Sequence, residues 1–149
     1  DIYEYLKKAK DEEEIETLAE KVKFFEKPYL KLAEPKIDGK SATIGIDNYV
    51  LYDFPLGFGK KADEAREQLL KMVKDNFAVL IDYWAVDWNY DGFTFKSQWQ
   101  NLRGSGRKAK TVSTKTTHTY ENPGKYTIAI RVVDIFGNDA TGTLKVTIK

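Results

Sequence analysis

The sequence predicts a mainly β protein with a helical N-terminal segment and one helix inserted among the strands. Three observations carry this. Long stretches after Pro28 alternate apolar and polar residues with a period of two. Residues 77–90, FAVLIDYWAVDWNY, form an aromatic and β-branched run. Two other stretches, 11–25 and 60–76, repeat their apolar residues every three or four positions instead.

The elements follow in chain order. DIYEYLKKAK and DEEEIETLAEKVKFF are rich in helix formers, and Ile15, Leu18, Ala19, Val22 and Phe25 make one apolar stripe. Pro28 ends that pattern. YLKLAEPKIDGKSATIGIDNYVLYDF then predicts strands near 29–36 and 41–52, joined by a hairpin turn at Asp38-Gly39. FPLGFG supplies loop residues. KKADEAREQLLKMVKDN predicts a helix over about 61–75, with Ala62, Ala65, Leu69, Met72 and Val73 on one face. Asp63 and Glu64 in its first turn and Lys71 and Lys74 in its last suit the helix dipole. KYTIAIRVV places Tyr126, Ile128, Ile130 and Val132 on one face of a strand, and TGTLKVTIK does the same with Leu144, Val146 and Ile148. Phe136-Gly137-Asn138-Asp139 is the turn between them. Two regions result: a helical segment at 1–27 and a β domain at 28–149.

Composition narrows the functional classes. The 149 residues include no cysteine, which removes disulfides, thiol chemistry and Cys-ligated zinc, and fits a reducing, cytoplasmic setting. No apolar run approaches the roughly 18–20 residues of a membrane helix, so no membrane partner is expected. The chain opens on Asp1 and its single methionine is Met72, which reads as a piece of a larger protein. Charge is uneven: residues 1–79 carry 14 bases and 17 acids, residues 80–149 carry 10 and 6. Between Gly92 and Tyr120 there is no acid at all, against six bases: Lys96, Arg103, Arg107, Lys108, Lys110 and Lys115.

YWAVDWNYDG followed by HTYENPGKYTIAIRVVDIFGNDATGTLKVTIK resembles the polycystic-kidney-disease-type (PKD) sandwich, an immunoglobulin-like fold. The resemblance implies a β-sandwich for the C-terminal 70 residues, with a long span before HTY and a helix inserted ahead of the central strand. VLIDYWAVDWNYDG…FKSQWQNLRG and YTIAIRVVDIFGND are also similar to the C-terminal appendage of type III-like adenine-specific DNA methyltransferases. That similarity implies a non-catalytic accessory domain of a restriction–modification protein. The D-P-P-Y-type motif and the F-x-G-x-G cofactor loop of those enzymes are absent from this sequence.

DWNYDG at 87–92 matches the first half of an EF-hand loop. Position twelve of such a loop would be Gln98, an amide where the bidentate Glu is required. A strand is therefore expected, with Trp88 and Tyr90 on one face, Asp87 and Asn89 on the other, and Asp91-Gly92 as its turn. His118, the one histidine, is expected to hydrogen-bond a corner of the fold. No catalytic residues, metal ligands or cofactor are called for. The acid-free segment is the functional lead. Lys96, Arg103, Arg107, Lys108, Lys110 and Lys115 suit phosphates, and Gln98 and Trp99 suit bases. DNA contact is one expectation. The others are an interaction or spacer module that docks neighbouring domains or subunits, and an extracellular PKD-type module.

Overall fold

The computed structural model describes residues 28–104 and 110–149. It is built from strands β1 (Tyr29–Leu32), β2 (Lys36–Asp38) and β3 (Ser41–Val50), helix α1 (Lys60–Asp75), a 3₁₀ turn (Phe77–Leu80), and strands β4 (Ile81–Asp87), β5 (Trp99–Leu102), β6 (Lys115–Thr119), β7 (Gly124–Asp134) and β8 (Asp139–Ile148). The segment 1–27 and its expected helices lie outside the described residues.

Two four-stranded antiparallel sheets result, and the mainly β expectation holds. In the first, β3 is the spine. Its first half pairs with β2 and also with β6, so these two lie on opposite edges; its second half pairs with β1. The second sheet runs β5-β4-β7-β8. Gly39 closes the β2–β3 hairpin at φ 59°, where a side chain would be strained, as Asp38-Gly39 foretold. Pro35 divides the first expected strand in two, because proline has no N–H to donate to the ladder.

The period-two pattern decides which faces meet. Ile44, Ile46, Trp84, Val86, Ile128, Ile130, Val132, Val146 and Ile148 are all buried between the sheets. Burying such side chains supplies roughly 1.5–3 kcal/mol each, the dominant favourable term of the fold. The sheets approach closely at Gly142. A Cβ there would come within 2.8 Å of the Leu32 side chain from β1. Residues 112–114 strap the sheets together. Trp84 Nε1 donates to the Ser113 carbonyl (2.7 Å), the Ser113 amide donates to Asn101 Oδ1 (2.8 Å), and the Ile46 amide donates to the Thr114 carbonyl (2.9 Å).

Helix α1 has no buried residue; Ala62, Arg66, Leu69 and Val73 form its inward stripe at half-burial. This corrects the expected face. Ala65 and Met72 are exposed, because Arg66 takes an inward position instead. Its guanidinium donates to the carbonyls of Phe54 (3.2 Å) and Gly57 (2.9 Å) and pairs with Asp53 and Asp63, tying α1 to the loop before it. The run from Phe77 does not begin as strand. The Asn76 side chain accepts from the Ala78 amide (3.1 Å) and turns 77–80 into a 3₁₀ turn before β4 starts.

Candidate functional site

DWNYDG is a strand end and two side-chain-capped turns. β4 stops at Asp87, whose carboxylate is buried with 1% exposure. One of its oxygens accepts from the Asn89 amide (3.1 Å), the other from the Lys96 amide (2.9 Å). Both oxygens thus face backbone amides rather than a cation. The expected alternation fails here: Trp88 is buried directly beside Asp87, because the Asn89 turn ends the pleat. Asp91 accepts from the amides of Phe93 (2.8 Å) and Thr94 (2.9 Å), and these two bonds hold its carboxyl below the usual range. Gly92, at φ 91°, makes the turn. No cluster of three or more candidate metal ligands occurs among the described residues.

The two residues expected nearest to bases are occupied by the fold. Gln98 Oε1 accepts from the Trp88 amide (2.8 Å), and the Gln98 amide bonds the Val86 carbonyl (3.0 Å). Trp99 sits opposite Val86 in β5 and turns its ring inward, edge-on to Trp84 at 4.7 Å. A half-buried tryptophan held this way is core, and does not offer a free stacking platform.

The basic residues divide into two places. Lys96 is exposed at the end of β4 that carries Asp87. Arg103 is exposed at the opposite end of that strand, where its amide donates to the Asp82 carbonyl (2.8 Å). Their β4 partners, Asp87 and Asp82, are five residues apart along the strand, about 17 Å. Lys110 and Lys115 are exposed on either side of the strap at 112–114, which meets Asn101 opposite Trp84, two residues from Arg103. Thr114 and Lys115 approach Gly45 closely: a Cβ there would lie 3.1 Å from the Thr114 carbonyl and 3.3 Å from Lys115 Cγ, tighter than an ordinary contact. Arg107 and Lys108 lie outside the described residues.

His118 makes ring contacts rather than the expected corner hydrogen bond. It stacks on Trp88 at 4.9 Å and meets Tyr120 edge-on at 4.7 Å. Burial there disfavours its charged form and lowers its pKa. The hydrogen bond that ties the corner belongs to Tyr120, whose hydroxyl donates to the Trp88 carbonyl (2.6 Å). Burial first, then Tyr126 and Asp87, push this phenol up to about 12.

Two features had no local signal in the sequence. Tyr49 and Asp134, 85 positions apart, meet between the sheets. The Tyr49 hydroxyl donates to Asp134 Oδ2 (2.7 Å), while Oδ1 accepts from the amides of Phe136 (2.9 Å) and Asn138 (3.0 Å). Burial, then the hydrogen bond and charge of Asp134, raise the Tyr49 pKa far above that of a free phenol. The second feature is a cleft of about 570 Å³ between α1 and the second half of β3, with Leu51, Phe54, Leu70, Val73 and Phe77 among its walls. Leu70 is 46% exposed on its rim, and Met72 is 53% exposed on the same helix.

No protein-family model matches the sequence, and a comparison with curated proteins finds no match. Solved structures similar to this chain are PKD domains. The PKD1 domain of the Vibrio cholerae metalloprotease PrtV is 16% identical, with 82% of this chain and 96% of that one covered and a TM-score of 0.44. The PKD1 domain of Vibrio anguillarum Epp is also 16% identical, with 82% and 93% covered and a TM-score of 0.45. The PKD domain of an M14-like peptidase from Thermoplasmatales archaeon SCGC AB-540-F20 is 19% identical, with 81% and 91% covered and a TM-score of 0.35. These three TM-scores lie below 0.5, and the two-sheet architecture rests on the strand pairings themselves.

Proposed function

We infer that the domain is a non-catalytic docking module that seats a neighbouring stretch of polypeptide on the face formed by α1 and the cleft beside it. The observation that carries this is the open cleft, whose walls set Leu51, Leu70 and Phe77 among Asp47, Lys74 and Asp75, with Leu70 half-exposed on the rim. The polar side chains with reactive chemistry support it from the other side. Asp87, Asp134, Gln98 and Tyr120 are all engaged in bonds that build the sandwich. Hydrogen exchange of α1 tests the reading, in the full chain alone and mixed with neighbouring domains or subunits of its parent. The α1 amides should slow where the face is covered while β7 and β8 stay unchanged, and Leu70→Asp should abolish the slowing. Equal α1 exchange in every sample, variant included, refutes it.

A second reading, DNA contact, is favoured by one arrangement. Arg103 and Lys110 flank in sequence the segment 105–109, which carries Arg107 and Lys108, and Lys115 follows at the start of β6. Phosphate contact by such a group needs no base reading, which suits the engagement of Gln98 and Trp99 in the fold. The sequence similarity to methyltransferase appendages would make the partner an adenine-specific DNA-modifying enzyme in the cytoplasm. Each lost phosphate contact should flatten the slope of log affinity against log salt by about 0.9 on duplex DNA. Removing Arg107 and Lys108 together should therefore reduce it by about 2. An unchanged slope, or no binding by the wild type, sinks this reading.

A further inference from the structure

We propose that the stretch seated in the α1 cleft is the chain's own segment 12–26, with Ile15, Leu18, Val22 and Phe25 as its anchors. The proposal rests on the docking reading and names the occupant. Three observations lead to it.

The first is where the chain enters the described domain. Tyr29, the first residue of β1, is paired with Val50, and Val50 lines the cleft. Paired strands lie about 4.8 Å apart, so residues 1–27 join the sandwich at the rim of this cleft. Only Glu26, Lys27 and Pro28 separate Phe25 from that point. The second is pattern. The stripe at 15, 18, 22 and 25 has the spacing by which an amphipathic helix fills an apolar groove. The cleft offers matching walls in Leu51, Phe54, Leu70 and Phe77. The third is charge. Residues 1–27 hold 9 acids and 6 bases, while the remaining 122 residues hold 14 acids and 18 bases. The segment is therefore net negative and the domain net positive, which favours their association at moderate salt. On the cleft wall itself Lys74 stands together with Asp47 and Asp75, so this attraction belongs to the domain as a whole and not to the cleft lining.

The absence of cysteine makes a clean test possible in the full chain. A nitroxide label on Lys74→Cys should attenuate the amide signals of residues 15–25. The same label on Lys40→Cys, at the far end of β3, should leave them intact. Val22→Asp should remove the attenuation while the sandwich signals stay in place. Unattenuated 15–25 signals with the Lys74 label overturn the proposal. If attenuation appears only between labelled and unlabelled molecules in a mixture, a second copy supplies the segment. The proposal of a chain seating its own segment then fails, and the docking reading survives. If the segment is unattenuated and α1 exchange is also the same in every sample, both fail.

Discussion

Replacing Tyr49 with Phe should cost about 2 kcal/mol of stability. The substitution removes one oxygen and nothing else. Tyr49 has 0% exposure and Asp134 has 1%, so neither partner can turn to water instead. Asp134 Oδ1 keeps its two amide donors, but Oδ2 loses the Tyr49 hydroxyl. A hydrogen bond to a charged group contributes about 1.5–3 kcal/mol, and a buried acceptor left unmade pays its desolvation cost in full. In a domain of this size each kcal/mol moves the melting temperature by about 2–4 °C, so a fall of about 4–8 °C is expected. Urea unfolding should show a lower midpoint at an unchanged slope, since the folded surface stays the same. Tyr126→Phe is the matched control. Its hydroxyl donates to the Asn122 carbonyl at an exposed corner, and its loss should stay within about 0.5 kcal/mol. If Tyr49→Phe falls in that same small range, the buried hydroxyl–carboxylate bond does not hold the sheets together, and the reasoning is wrong.

Further outcomes follow from the same contacts. Trp99→Ala should lower stability by about 2–3 kcal/mol in denaturant unfolding, because the ring packs on Trp84, whereas a solvent-facing base platform would leave stability nearly unchanged. The His118 pKa is lower in the folded state, so its contribution is present above the unfolded value of about 6.5 and fades as pH falls below it. His118→Phe should accordingly flatten the loss of stability between pH 6.5 and 5 relative to wild type. Tyr120 shifts the other way. Its raised pKa gives a contribution that is full below about pH 10 and lost as pH climbs toward about 12, so Tyr120→Phe should unfold with a shallower alkaline limb. Calcium titration calorimetry should show no binding heat at the 87–92 turn, whose buried Asp87 oxygens are already held by backbone amides.

The long strands β3, β4, β7 and β8 were legible from their apolar runs and alternation, whereas β5 and β6, which hold no fully buried residue, gave no such signal. Tyr126, Ile128, Ile130 and Val132 declare a period of two, and the register of β7 against β8 follows from it. The inserted helix was legible from its spacing to within one residue at its start. The face it turns inward was not, because Arg66 reads as a surface residue until the carbonyls of Phe54 and Gly57 are seen to hold it. The 3₁₀ turn at 77–80 was hidden for a related reason. FAVL is as apolar as a strand, and what bends it is the hydrogen bond that the Ala78 amide donates to the Asn76 side chain.

The functional surface was less legible, since residue type fixes what a side chain can do and tertiary structure decides whether it is available. Gln98 and Trp99 have the chemistry to read bases, yet Gln98 caps Trp88 and Trp99 packs on Trp84. The run of bases looks continuous in sequence, but an antiparallel strand carries Lys96 to one end of the sandwich and Arg103 to the other. The cleft beside α1 shows the converse. In sequence Leu51 and Phe77 fall in strand runs, Phe54 in a loop and Leu70 off the expected helix face, and only their joint placement lines a space open on one side. An apolar groove of this kind is costly to leave in water, so what covers it is the question that best separates a spacer from a docking module.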